Sequence, residues 1–239
     1  MSSIFYPANE RGHVQFDWLD TYHSFSFGQY HDPSKIHFGA LRVLNDDKVD
    51  AGMGFGTHPH DNMEIITIPL FGDLHHRDST GRDCIIKEHD VQIMSAGSGI
   101  QHSEVNPNKD KRVELFQIWI FPKERNITPR YDQKSFLPED RVDQLLTVVS
   151  PNEPNTLFIN QDAWLSLGHF KKPFTTNYPM HQAGQGLFAI CIEGTCTVGG
   201  QVLGRRDAVG ISGVEAVQIE ATAGSDLLLI EIPHFTTGA

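Results

Sequence analysis

Two short strings hold residue types suited to metal chemistry, His58-Pro59-His60 and His102-Ser103-Glu104. In an extended strand, side chains two residues apart share a face, so each string presents a pair of ligating groups on one side. If the two strands are neighbours, three imidazoles and one carboxylate can close around one ion. That donor set suits a borderline divalent transition metal such as Fe, Ni, Cu, Mn or Zn, and suits Ca or Mg poorly. Glycines precede both strings, Gly52, Gly54 and Gly56 before the first and Gly97 and Gly99 before the second. At such positions glycine permits tight turns and close backbone approach.

Other polar residues compete for attention. Glu64 follows His60 by four residues, and on the same strand it would keep the parity of the histidines, so spacing leaves it open as the carboxylate ligand. Asp61 and Asp78 are weaker candidates. The chain has 13 histidines. Most of them, including His75, His76 and His89, stand beside charges and turn residues and read as solvated or locally hydrogen-bonded. His23 has no partner at ligand spacing and reads as a structural imidazole.

The elements that must position these residues are strands. Met63 to Leu70, Asp83 to Lys87, Val91 to Met94 and Val113 to Phe121 are short apolar runs punctuated by turn residues, with Ser79-Thr80-Gly81 as a hairpin turn. Ahead of them Phe16, Trp18, Tyr22, Phe25 and Phe27 suggest an aromatic strand or arm, and Phe38 to Leu44 a strand closed by a turn at Asn45-Asp46-Asp47. Between Pro122 and Pro154 the chain turns charged and Pro-containing, which marks a connection with its boundary near residue 135 and one short helix within Leu137 to Leu146. A second strand-rich run follows: Ala163 to Phe170, Leu187 to Ile192, Thr195 to Val198, Ala208 to Ile211, Val217 to Glu220 and Leu227 to Ile232, with Gly199-Gly200 as a two-residue hairpin. The pattern is all-β, a sandwich or barrel in each half.

The halves also look alike. Gly72 and Asp90 find counterparts in Gly194 and Asp207, and that alignment carries the four ligand positions onto Met180, Gln182, Ile219 and Ala221. None of these is a good ligand and His181 stands alone, so the second half is expected to be a barrel without metal.

With 239 residues and 39% hydrophobic composition the chain can bury a large core, and its net charge of -11 argues against nucleic acid or an anionic membrane as a partner. Cys84, Cys191 and Cys196 form no CxxC pair, and their odd number points to a reducing compartment. The start MSSIFYPANERGH lacks the pattern of a secretory signal, and no apolar run reaches membrane-spanning length, so a cytoplasmic protein is expected.

The strings GMGFGTHPHDNMEI (52–65), HRDSTG (76–81), QIMSAGSGIQHSEVNP (92–107) and QIWIFP (117–122) resemble the pirin family of the cupin superfamily, and the likeness runs through nearly the whole chain. The resemblance implies a bicupin, two double-stranded β-helix barrels facing each other, with residues 1–135 binding metal and 136–239 not. It places the ligands on His58, His60, His102 and Glu104, and it assigns Glu64 to a cupin-motif glutamate that does not bind the metal in pirins. Gly72 comes one residue later than the general cupin pattern, and Ser95 stands where many cupins have proline. Some bacterial pirins similar to this chain are quercetin 2,3-dioxygenases. The implied activity is opening of a flavonol heterocycle by O2 with release of carbon monoxide, in a monomer with one divalent ion. Fe(II) is the expected ion, with Ni, Cu, Mn, Co or Zn as alternatives. Glu104, the one ionisable oxygen among the ligands, is the natural base for the flavonol hydroxyl. The alternative is a metal- or redox-sensing regulatory protein that binds a protein partner. A structural zinc site is the third reading, weakened because Cys84 has no paired cysteine.

Overall fold

In the computed structural model, which describes residues 1–234, almost all regular structure is strand; the helical elements among the described residues are two 3-10 turns, Ala8–Glu10 and Pro138–Arg141. The first half supplies β1 (Ser2–Tyr6), β2 (Gly12–Gln15), β3 (Leu19–His23), β4 (Leu41–Val49), β5 (Gly54–His60), β6 (Glu64–Phe71), β7 (Leu74–Asp78), β8 (Asp83–Ile86), β9 (Asp90–Ser95), β10 (Ile100–Val105), β11 (Val113–Ile120) and β12 (Arg130–Ser135). The second supplies β13 (Leu145–Ser150), β14 (Leu157–Phe158), β15 (Trp164–Phe170), β16 (Phe174–Pro179), β17 (Gln185–Glu193), β18 (Cys196–Val198), β19 (Gln201–Leu203), β20 (Ala208–Ser212), β21 (Ala216–Ala221) and β22 (Ser225–Pro233). Among the described residues, no helix is long and apolar enough to cross a membrane.

A seven-stranded sheet, β12-β9-β6-β11-β4-β3-β2, and a four-stranded sheet, β5-β10-β7-β8, form the first barrel. The second repeats the plan with β1-β20-β17-β22-β15-β13-β14 and β16-β21-β18-β19. The duplication expected from the sequence is therefore a repeat of strand order, with β5 to β11 matched by β16 to β22. At β18–β19 the turn is made by Gly199 and Gly200, with φ of 57° and 84°, a backbone that L side chains adopt poorly.

Strand parity explains the packing. On β11, Phe116, Ile118 and Ile120 point away from the first barrel and meet Phe188, Ile190, Leu228 and Ile230 of the second half in one apolar core. The alternate residues Leu115, Gln117 and Trp119 point into the first barrel, where Leu115 joins a smaller cluster with Leu19, Leu74 and Ile86. A strand buried on both faces reads as a continuous apolar run, which is why β6 and β17 show little alternation. Each large aliphatic or aromatic side chain buried here contributes about 1.5–3 kcal/mol.

Three expectations need correction. Asn45-Asp46-Asp47 is no turn: the three residues are buried within β4. Their side chains are engaged by His23, by Arg11 and Arg206, and by Thr21 respectively, so pairing replaces the exposure that a turn provides. The helix expected within 137–146 shrinks to Pro138–Arg141, because Asp143 adopts a φ of 54° and the β-rich Leu145–Ser150 enters a sheet. The ligand counterparts in the second half also move. By strand register His58 and His60 oppose His102 and Ile100, whereas Ile219 and Val217 oppose Thr176 and Tyr178. A longer link between β16 and β17 displaced the alignment to Met180 and Gln182. Finally, β1 lies apart from the rest of the first half in sheet membership, pairing with β20 from Ser2↔Ser212 to Tyr6↔Ala208.

Candidate metal centre

β5 and β10 are antiparallel neighbours with His58 opposite His102, so the two strings meet as their spacing requires. Between His102 and Glu104 the register shifts from His58 to Phe55, an extra residue on β5 at Gly56-Thr57 that bends the strand. Nearby, a Cβ on Gly54 would stand 2.2 Å from the Glu104 carbonyl oxygen, which explains a glycine beside the site.

The donor atoms of His58, His60 and His102 lie within 4.8 Å of one another, and those of His76, His102 and Glu104 do likewise. His58 Nε2 and His102 Nε2 are 3.0 Å apart, and His102 Nε2 is 4.0 Å from Glu104 Oε2. His58 Nδ1 lies 2.7 Å from the Gly56 carbonyl oxygen. A carbonyl can only accept, so Nδ1 carries a proton and Nε2 is the ring atom turned towards a ligand position. Burial, followed by the neighbouring imidazoles, pushes His60 down to about 4 and His102 down to about 3. Both rings are thus neutral at pH 7, the form that binds metal. Glu104 is buried and accepts two contacts of 3.1 Å from Gln117 Nε2 and one of 3.5 Å from Thr67 Oγ1. Two neutral imidazoles, the His58 ring beside them and an anchored carboxylate fit a divalent transition ion.

Glu64 stands elsewhere. It lies on β6 rather than on β5, with Asn62 at a φ of 45° in the connection, so the parity argument does not apply. Its Oε2 accepts from Ser95 Oγ at 2.8 Å and from the Asn160 backbone N–H at 3.1 Å, which ties the first barrel to the second half. Ser95, the departure from the cupin pattern, is therefore a partner of Glu64. Asp61 is exposed, and Asp78 binds His76 and Thr80.

His76, read from the sequence as a solvated or locally bonded histidine, is fully buried. Its Nε2 lies 3.0 Å from Asp78 Oδ2, and its ring centroid 5.3 Å from that of His102. Nδ1 of His76 and Nδ1 of His102 both lack a hydrogen-bond partner. The Asp78 carboxylate accepts from His76 Nε2, which fixes the orientation of the His76 ring beside that of His102. His23 does bond locally, to Asn45 Oδ1 at 2.7 Å, yet it also lines a cavity of about 90 Å³ with Thr21, Phe27, Asp47, Phe55 and the ligand-bearing strands. Trp119 lines the same cavity and meets His60 edge to face at 4.8 Å. Neither His76 nor the cavity wall was visible in residue spacing, because both depend on which strands become neighbours.

Asp47 is the buried acid of this wall, and burial pushes it up to about 7. Its unfolded value is that of an ordinary carboxyl, so ionising it in the folded protein weakens the fold progressively as pH rises from about 4 to 7, by about 1.4 kcal/mol per pH unit. Asp47→Asn should therefore gain melting temperature relative to the parent as pH rises through that window, then hold a constant gain. Melting curves on metal-free protein at pH 4, 5.5, 7 and 8.5 measure it; a gain independent of pH contradicts the assignment.

Residues 6–120 match the Pirin family model, and residues 147–232 match the model described as the quercetinase C-terminal cupin domain. A protein of Escherichia coli K12 named quercetin 2,3-dioxygenase is 42% identical over 229 residues, which are 95% of this chain and 96% of that one. A pirin-like protein of Caulobacter vibrioides is 36% identical over 227 residues, 94% of this chain and 97% of its own. Among solved structures, the bacterial pirin YhhW of E. coli in complex with nickel(II) superposes with a TM-score of 0.92 at 39% identity, covering 98% of this chain and all of that one, 100%.

Proposed function

Because the chain belongs to the pirin family, we propose that it is a metal-dependent dioxygenase that opens the heterocycle of a flavonol such as quercetin with O2 and releases carbon monoxide. Its two barrels form a bicupin. In this reading residues 1–135, apart from β1, which joins the sheet of the second barrel, make up the metal-binding cupin domain and 136–239 the one without metal. The reading rests on one observation above all: the donor atoms of His58, His60 and His102 lie within 4.8 Å of one another, with Glu104 in the adjoining group through His102, and His58, His60 and Glu104 line a small cavity walled by Phe27, Phe55 and Trp119.

His58, His60, His102 and Glu104 would hold one ion, with Fe(II) as the proposed native metal and nickel supported by the complex of the related pirin. The bound ion supplies Lewis acidity towards the flavonol enol oxygen and a route for reaction with O2. The protein supplies the rest. Glu104 takes the proton of the 3-hydroxyl, and Gln117 holds its carboxylate in place. Trp119 Nε1 and Gln117 Oε1 are buried without partners on the same wall, a donor and an acceptor available to an oxygenated ligand. Phe27 and Phe55 present apolar surface to an aromatic ring and limit water. At about 90 Å³ the cavity admits the reacting edge of a flavonol, with the remaining rings against its mouth.

An aerobic quercetin assay with carbon monoxide detection tests this, with protein loaded in turn with Fe(II), Mn(II), Co(II), Ni(II) and Cu(II). Turnover with at least one ion is expected. Absence of turnover with all of them would overturn the dioxygenase reading and favour a metal- or redox-sensing protein that binds a protein partner.

A further inference from the structure

The second barrel holds a fully buried carboxyl group, that of Glu231. Ile65 on β6 and Leu187 on β17 each lie seven residues before the glycine that ends their strand, and they pair with Trp119 and Glu231 respectively. Glu231 thus occupies the place that an aromatic side chain fills in the first barrel. It has no exposed surface, and burying a carboxylate costs several kcal/mol unless partners compensate. Its partners are specific. Tyr178 Oη donates to Glu231 Oε2 at 2.9 Å, the His181 backbone N–H donates to Oε1 at 2.7 Å, and His181 Nδ1 lies 2.7 Å from Oε2.

The result is a rigidly held histidine and tyrosine. His181 is gripped on its other side by Glu153, 3.3 Å from Nε2, and its ring stacks on Trp164 at 4.5 Å with a 6° angle between planes. Both His181 and Tyr178 line an open pocket of about 390 Å³. Tyr178 and Thr176, on the pocket wall, hold the positions that His60 and His58 hold in the first barrel. The rest of the wall is mixed: Thr147 and Ser166 line it together with Phe174 and Met180.

We propose that this pocket is a second ligand site, distinct from the metal centre, which takes a small neutral aromatic molecule bearing hydroxyl groups. Phe174 and Met180 flank the ring, while Thr147, Thr176 and the Tyr178 oxygen, which accepts because its proton goes to Glu231, meet its hydroxyls. The two carboxylates around His181 disfavour an anion. A volume of about 390 Å³ accommodates one or two fused rings.

Catechol, with benzoate as the anionic control, is the probe. The full chain is loaded with Zn(II), which is diamagnetic, and labelled at its methionine methyl groups. Met180 lines the pocket, whereas Met63 and Met94 pack together in the first barrel. Catechol should shift the Met180 signal saturably, at millimolar concentrations typical of a fragment, about 1–10 mM. Benzoate should leave it unmoved. Glu231→Gln and Thr176→Val should each weaken the response about fivefold or more, and Thr176, at the surface of the pocket, guards against a folding defect in the first variant. A catechol response confined to Met63 and Met94, an equal response to benzoate, or undiminished affinity in Thr176→Val together with a folded Glu231→Gln would each overturn the proposal.

Discussion

Glu104→Gln is expected to keep an ion in the first barrel while lowering flavonol turnover by a factor of about 10²–10⁴, the usual contribution of a positioned base. The side-chain amide retains an oxygen that can face the metal and nearly the same volume, so packing against Thr67 and Gln117 changes little. What disappears is the ability to take a proton. The same change removes a negative charge from the donor set, so some loss of affinity accompanies it. The separation of effects is the test: metal analysis and turnover are measured on the same preparation, with His58→Ala, His60→Ala and His102→Ala alongside. The three alanine variants should lose metal and turnover together, whereas Glu104→Gln should lose mainly turnover. Quercetin cleavage at the parental rate in Glu104→Gln would sink the base assignment, and metal retained in all four variants would place the ion elsewhere.

The local part of this centre was legible because a strand has a period of two: His58 with His60 and His102 with Glu104 needed no knowledge of topology. What remained hidden depends on pairing between distant strands. The chain turns between β5 and β6, which takes Glu64 off the histidine strand, and His76, locally bonded to Asp78 as expected, is buried because β7 lies against β10. Second-half counterparts were misplaced for the same reason, since a link of different length shifts an alignment without altering strand register. The largest local error was Asn45-Asp46-Asp47. Turn propensity of Asn and Asp is real, but it reflects polar side chains seeking partners, and here those partners come from other strands and from the second half.

Asp46→Ala should therefore destabilise the protein by about 3–5 kcal/mol, the cost of leaving a buried charge without its counterion. Asp46 Oδ2 stands 3.1 Å from Arg11 Nη1 and 3.0 Å from Arg206 Nε, with side-chain exposures of 5%, 8% and 5%. The contact with Arg206 Nε is an ion pair rather than a directed hydrogen bond, because Nε has no partner in hydrogen-bond geometry. Arg206 cannot swing into solvent easily: its Nη1 donates to the Ile192 carbonyl at 2.8 Å and its guanidinium lies over the Phe116 ring at 5.1 Å. Asp46 belongs to β4 of the first barrel and Arg206 to the turn before β20, so the pair joins the two halves across their shared core. Removing the carboxylate leaves two guanidinium groups close together and both largely buried. Arg205→Ala is the control, since its pair with Glu193 is about half exposed, 54% and 46%, and should change stability by less than about 1 kcal/mol. In the double variant Asp46→Ala, Arg206→Met much of the loss should be recovered, because an apolar side chain replaces the stranded charge beside Phe116. Urea denaturation of the parent, Asp46→Ala, Arg206→Met, the double variant and the Arg205→Ala control at one pH measures the cycle. A loss below about 1 kcal/mol in Asp46→Ala, or a double variant no better than the single, would show that Asp46 does not hold the halves together through Arg206.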